Sequence, residues 1–199
     1  MDKIEVFPEE HISPKGTISA EFLSLGIDSF ISACRYVHNL PYGYNSSRDD
    51  LLILFKEGIG TCTTKHAVIA TLAQELELPV VKNIGIYAMT EDIVTGTRDI
   101  LEKFNLPYLP MAHCFLAGNN FRVDLTEGNK NGKNRPIDLF LHTEPVEANI
   151  SEKDEYLLYR KALKDHIMLR DELSRADFKW ILRAHEEGLR LLKSKVKDK

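Results

Sequence analysis

The sequence predicts an α+β domain. Helical patterns lead in, one long apolar helix stands at the centre, and candidate strands follow it as a block, where a doubly wound sheet would alternate the two types. With 199 residues, 43% hydrophobic and 28% charged, the chain can bury one good core. A single domain is expected, with residues 1–150 as its body and 151–199 as a helical extension packed on it.

IDSFISACRYVHNL reads as a helix with Phe30, Ile31, Cys34 and Val37 on its inner face, stopped by Pro41 in NLPYGYNS. The polar NSSRDD, with Arg48, Asp49 and Asp50, reads as a solvated loop leading into a short helical LLILFKEG. The next stretch, GIGTCTTKHAVIATLAQELELPVV, is a helix opened by Thr61 as N-cap, so that Cys62 falls in its first turn. Val68, Ile69, Ala70, Leu72, Ala73 and Leu76 leave that helix only a narrow polar strip around Thr71, Gln74 and Glu75, so it is largely buried. VVKNIGIYAM is a candidate strand, GTRDILEKFNL a short helix, and MAHCFLAGNNFRVDL two short strands around a turn.

The extension reads as two amphipathic helices. SEKD opens the first as a capping box, Tyr156, Tyr159, Leu163 and Ile167 mark its stripe, and Phe178, Ile181, His185, Leu189 and Leu192 mark the second. Residues 151–199 carry 13 Lys and Arg against 10 Asp and Glu, and the rest of the chain carries 13 against 20. The signs in the extension are too interleaved for a basic patch, so no nucleic-acid surface is expected, and truncation should uncover apolar surface around Trp180 and Leu189. No apolar run approaches the ~20 residues that span a bilayer, and MDKIEVFPEEH lacks the regions of a signal peptide. The expectation is a soluble cytoplasmic protein with no membrane partner.

Three cysteines at these spacings form neither a disulfide framework nor paired zinc knuckles, so each is read as a thiol. Cys34 and Cys114 fall on core faces. Cys62 is different, because free backbone N–H groups and the positive end of the helix dipole lower a thiol's pKa at a helix start, and the thiolate is the nucleophile. Gly58 and Gly60 upstream let the backbone approach closely. A catalytic cysteine needs a histidine base and an orienting carboxylate or amide. If Gly118 and Asn119 form a two-residue hairpin turn, His113 directly opposes Asp124, with Cβ atoms about 5 Å apart, and Cys114 and Val123 face the other way.

These residues resemble a known family. GIGTCTTKHAVIATLAQELELPVVKNIGIY is similar to the cysteine–helix–strand segment of the transglutaminase-like superfamily, a branch of the papain-like thiol enzymes, and HCFLAGNNFRVDLT resembles its His and Asp strands. The likeness covers residues 58–126. It implies a papain-like core with the nucleophile helix packed on an antiparallel sheet, Cys62 as nucleophile, His113 as base, Asp124 as orienter, and a thioester acyl-enzyme formed from a peptide or protein amide. No cofactor is implied, and hydrolysis is the plainer outcome because no amine-acceptor site is legible. The chain departs from the common pattern at Glu77, where a Gly often stands, at Phe115, where a Trp is frequent, and at Leu125, where a Pro often follows the Asp.

The oxyanion of such a reaction needs two donors. The Cys62 backbone N–H supplies one, and Tyr42, Tyr44 and Asn45 in LPYGYNSS carry groups suited to the other. His66, four residues after Cys62 on the same helix face, is either a supporting, packed residue or part of a metal site with Cys62, His113 and Asp124. The former is the expectation, with no metal. His11, His38, His142, His166 and His185 show no convergence in the sequence. Two further readings stand beside the enzyme: a partner-binding module on the same fold without turnover, and the metal site.

Overall fold

The structure is a computed structural model and describes residues 3–196. It is α+β, with seven α-helices and a four-stranded antiparallel sheet in the order β3-β2-β1-β4 among the described residues. The helices are α1 Thr17–Ser24, α2 Phe30–Asn39, α3 Ile53–Glu57, α4 Cys62–Glu75, α5 Thr97–Phe104, α6 Glu152–Ala162 and α7 Phe178–Lys195. The strands are β1 Val81–Met89, β2 Leu109–Gly118, β3 Phe121–Val123 and β4 His142–Pro145. No helix among the described residues is long and apolar enough to cross a membrane.

The chain divides into two compact units. Residues 1–83, 114–129 and 145–151 form the first, and residues 84–113, 130–144 and 152–199 form the second. The extension is thus one of three segments that build the second unit.

The first unit is mainly helical, and its core gathers Ile18, Phe22, Phe30, Val37, Leu54, Ile69 and Leu72 from four helices. Cys34 is buried in that core, and Cys114 on β2 is also buried. Ser29 caps α2 by accepting the Ser32 N–H, and α2 gives way to extended backbone at Leu40, where the following proline disfavours helix. Glu75, at the end of α4, accepts the Ile18 N–H (3.0 Å) and the Ser19 N–H (2.6 Å), so one helix's carboxylate satisfies the open amides of another. Just beyond, Glu77 takes φ 60°, and the Leu78 N–H returns to the Ala73 carbonyl at 2.8 Å. This is a helix stop in the left-handed region, and it gives a physical reason for the glycine that the resembling pattern often carries there.

The second unit packs Ile86, Met89, Ile100, Leu109 and Met111 against Tyr159, Leu163 and Ile181. The Tyr159 hydroxyl donates to the Pro110 carbonyl at 2.8 Å, and Asp177 caps α7 by accepting the Lys179 and Trp180 N–H groups. Gly188 lets α7 lie close, because a Cβ there would stand 2.6 Å from Leu109 Cδ2. The stripes read in the extension are buried at Tyr159, Leu163, Ile167, Ile181 and His185, but Tyr156 and Leu189 are exposed. Trp180 is half exposed already, so truncation would uncover the partners of Tyr159 and Ile181 rather than surface around Trp180 and Leu189.

The hairpin corrects one expectation. The ladder pairs Leu116 with Val123, Ala117 with Arg122 and Gly118 with Phe121, so the turn residues are Asn119 and Asn120, not Gly118 and Asn119. Gly118 is needed inside the strand pair, where the Phe121 ring occupies the space of a Cβ (2.4 Å). The shift is two residues in register, so Cys114 and Val123 keep their faces while the direct opposition of His113 and Asp124 is lost. The strand β3 ends at Val123, and the chain turns at Asp124.

Candidate active site

Cys62 is the first residue of α4, and of the three thiols it alone is partly exposed. The approach to it is built tightly. Gly58 takes φ 65° to end α3, and Gly60 lies so close to the flanking helices that a Cβ would stand 2.8 Å from Leu54 Cδ1 of α3 and 2.9 Å from Thr64 Oγ1 of α4. Gly60 also joins the Tyr42 loop, donating its N–H to the Pro41 carbonyl while its own carbonyl accepts from the Gly43 N–H. Thr61 donates its N–H to Thr64 Oγ1 (3.0 Å), and Thr64 in turn donates to Asn45 Oδ1 (2.8 Å).

Tyr42 and Tyr44 stand beside the thiol, edge to face with centroids 6.3 Å apart. Burial raises the Tyr42 phenol well above its ordinary pKa, and the negative charges available at Cys62, Tyr44 and Asp124 raise it further. Burial, then Cys62, pushes Tyr44 up to about 12. Both phenols are therefore protonated donors at neutral pH. Asn45 is committed elsewhere: its amide donates to Glu57 Oε2 (2.9 Å) and to the Ile59 carbonyl (3.0 Å), leaving no hydrogen for an oxyanion. It holds the loop on the helix start instead.

His66 is fully buried and spans two segments. Its Nδ1 lies 2.7 Å from the Cys62 carbonyl, and its Nε2 accepts the Leu125 N–H at 2.9 Å. Those partners fix the tautomer, with the proton on Nδ1. Both nitrogens are taken by backbone, so His66 cannot serve as the metal ligand of the alternative reading, and no group of three His, Cys, Asp or Glu among the described residues is placed to hold an ion. The bond from Leu125 exists because the residue after Asp124 is not proline, which has no N–H to donate.

Asp124 lies in the same group. Its Oδ1 accepts the Thr126 N–H (2.8 Å) and hydroxyl (2.7 Å) and stands 3.5 Å from His66 Nε2. The first unit thus brings together Cys62, Tyr42, Tyr44, Asn45, His66 and Asp124, which the chain spreads over more than eighty positions. His113 belongs to the second unit, buried on β2 with its ring edge-on to Tyr87 at 6.4 Å.

Two lysines that the sequence reading did not single out, and a histidine that it read as isolated, also belong here. Lys65 is fully buried, and its ammonium donates to the His38 and Leu40 carbonyls and to Asn129 Oδ1 (2.8 Å). His38, read as isolated, carries that carbonyl and sets its Nδ1 3.1 Å from the Leu125 carbonyl. Lys82, also buried, donates to the Thr63 and Ala148 carbonyls, both at 3.1 Å. A lysine at an apolar helix position was the available signal for Lys65; Lys82, on an alternating strand, gave none. Comparison with protein-family models, with curated proteins and with solved structures returns no match for this chain.

Proposed function

We propose that this chain is a transglutaminase-like cysteine enzyme on a papain-like core, acting on peptide-like amide bonds through Cys62, His113 and Asp124. The observation that carries the reading is the convergence at Cys62. The one partly exposed thiol opens a rigid, buried helix, and the Asp124 turn, sixty-odd residues later, is tied by His66 to the carbonyl of that same cysteine.

In this reading the Cys62 thiolate attacks the amide carbonyl, and the carbonyl π electrons move to oxygen. The Cys62 N–H and the Tyr42 O–H are the two donors to the oxyanion. Collapse breaks the C–N bond, His113 protonates the leaving amine, and a thioester remains. Water, deprotonated by His113, attacks the thioester, so the acid leaves and the thiol returns. Asp124 supports the imidazolium and its tautomer. Hydrolysis is preferred over transfer because no site for an amine acceptor is evident.

One observation favours a second reading, a partner-binding fold without turnover: Asn45, one of the candidate oxyanion donors, has both amide hydrogens committed to Glu57 and the Ile59 carbonyl. Labelling with a panel of acyl and peptide electrophiles separates the two. The enzyme reading expects acylation at Cys62 and turnover of an activated ester, both abolished in Cys62→Ala. It also expects Asp124→Ala added to His113→Ala to cost little further rate, since groups acting as a unit are not additive. An unreactive Cys62 that binds peptides unchanged as Cys62→Ala would establish the binding module.

A further inference from the structure

We propose that Lys65 is a positioning residue of this site: its buried ammonium holds the Tyr42 loop and the Asp124 turn in place on the nucleophile helix. The inference rests on the enzyme reading above for its kinetic consequence, but its geometry stands apart from it.

Burying an ammonium is costly unless every donor finds a partner, so a lysine with no exposed surface on the face of α4 that also carries Val68, Ile69 and Leu72 requires a reason. Lys65 has three N–H donors and three oxygen partners. The partners come from two segments. The His38 and Leu40 carbonyls close α2 and lead through Pro41 directly into Tyr42. Asn129 Oδ1 closes the turn that begins at Asp124, and the Asn129 N–H is bonded back to the Thr126 carbonyl within that turn. The two segments are also tied to each other there, because Asn129 Nδ2 donates to the His38 carbonyl at 2.6 Å and His38 Nδ1 meets the Leu125 carbonyl.

Lys65 is three residues after Cys62 on the same helix, so a single side chain connects the cysteine's own turn, the phenol beside it and the carboxylate turn. Burial pulls the Lys65 ammonium down to about 8, and the negative charge of Asp124 pulls it back up, which places that carboxylate within electrostatic reach of the hub. His66 performs the neighbouring task through backbone groups alone. Lys65 is the only member of this group that joins all three segments by side-chain donors.

The test compares Lys65→Met, which keeps length and loses the donors, with Asn129→Ala, which releases only the turn. Hydrogen exchange is read over residues 38–45, 62–66 and 124–129, and ester turnover and Cys62 alkylation are read beside it. In Lys65→Met, protection is expected to fall in 38–45 and 124–129 while residues 67–75 of α4 stay protected. Turnover is expected to drop about a hundredfold in kcat at unchanged KM, the scale of a reacting group displaced by about 1 Å. Cys62 alkylation should stay within about threefold of wild type, because the helix start that favours the thiolate is intact. Unchanged exchange in both segments overturns the proposal whatever the kinetics. So does a loss of kcat matched by an equal loss of alkylation and of folded protein, which marks a general stability role. If Lys65→Met does not fold, Asn129→Ala decides, and a folded Asn129→Ala with wild-type exchange at 124–129 overturns the proposal. A wild-type protein that turns over no probe defeats the enzyme reading, and the exchange result then still decides the role of Lys65.

Discussion

Replacing His66 with Phe keeps a planar ring in a fully buried position and removes both of its hydrogen bonds. The two losses are unequal. The Cys62 carbonyl lies within α4 and keeps the helical amide that an i→i−4 ladder supplies, so losing Nδ1–H costs about 0.5–1.5 kcal/mol. The Leu125 N–H has no helix to fall back on, and leaving it buried and unpaired costs about 1–3 kcal/mol. The variant should therefore lose about 1.5–4.5 kcal/mol. For a chain of this size each kcal/mol moves the midpoint by about 2–4 °C, so a fall of roughly 3–18 °C is expected in thermal melts followed by circular dichroism at pH 7. Hydrogen exchange at Leu125 localises the effect, because that amide should lose protection before the rest of the first unit. A His66→Phe protein within about 0.5 kcal/mol of wild type, the range of an ordinary surface change, with Leu125 still protected, would refute the assignment of His66 as the tie between the two segments.

Glu75→Ala should cost about 1–2 kcal/mol by uncapping the Ile18 and Ser19 amides, measured in urea titrations; a neutral result would mean that water serves them equally well. Glu77→Gly should instead stabilise by about 0.5–1 kcal/mol, because φ 60° suits glycine and the Lys15 ion pair it gives up is solvent-screened; destabilisation in the same titration would contradict the left-handed stop. His185, stacked on Tyr159 at 4.2 Å, is pulled down by burial to about 4, so at pH 5 the unfolded chain binds a proton that the folded one refuses. Stability is then unaffected above pH 6.5 and is lost as pH falls toward 4, by about 3 kcal/mol at most from this group. Urea midpoints from pH 7 to 4.5 should show that slope and should lose it in His185→Phe; an unchanged slope in the variant assigns the acid sensitivity to other groups.

The helices read most clearly from the sequence where period and punctuation agreed. Thr61 before Cys62, Pro41 after α2 and the leucine–proline pair before β1 all mark boundaries that the structure keeps within a residue or two. The helix α1 and the short strand β4 were not read. HTEP has no apolar alternation, and its strand is made by backbone pairing to β1, with the Val146 N–H on the Lys82 carbonyl and the Leu141 N–H on that of Ile86. The hairpin register was misread because glycine and asparagine are both turn residues by local chemistry, and the deciding contact, the Phe121 ring over Gly118, is a packing fact. Tyr42, Tyr44, His66 and Asp124 were legible as chemistry-bearing residues near one another. The roles of the buried cations were not: Lys65 stood out only as a lysine at an apolar helix position, and no local pattern says that it will find three oxygens, or Lys82 two, in other segments.

The most direct test of the account is the alkylation of each cysteine by iodoacetamide as a function of pH, read by mass spectrometry on the folded protein. Cys34 is shielded, with its thiol raised by burial, and Cys114 is buried with its Sγ 3.8 Å from Thr63 Oγ1. Cys62 alone is expected to react, and at mildly acidic pH, well below the ordinary thiol pKa of ~8.5. Equal labelling of the three cysteines, or labelling of Cys62 only above that value, would contradict the nucleophile at the start of α4.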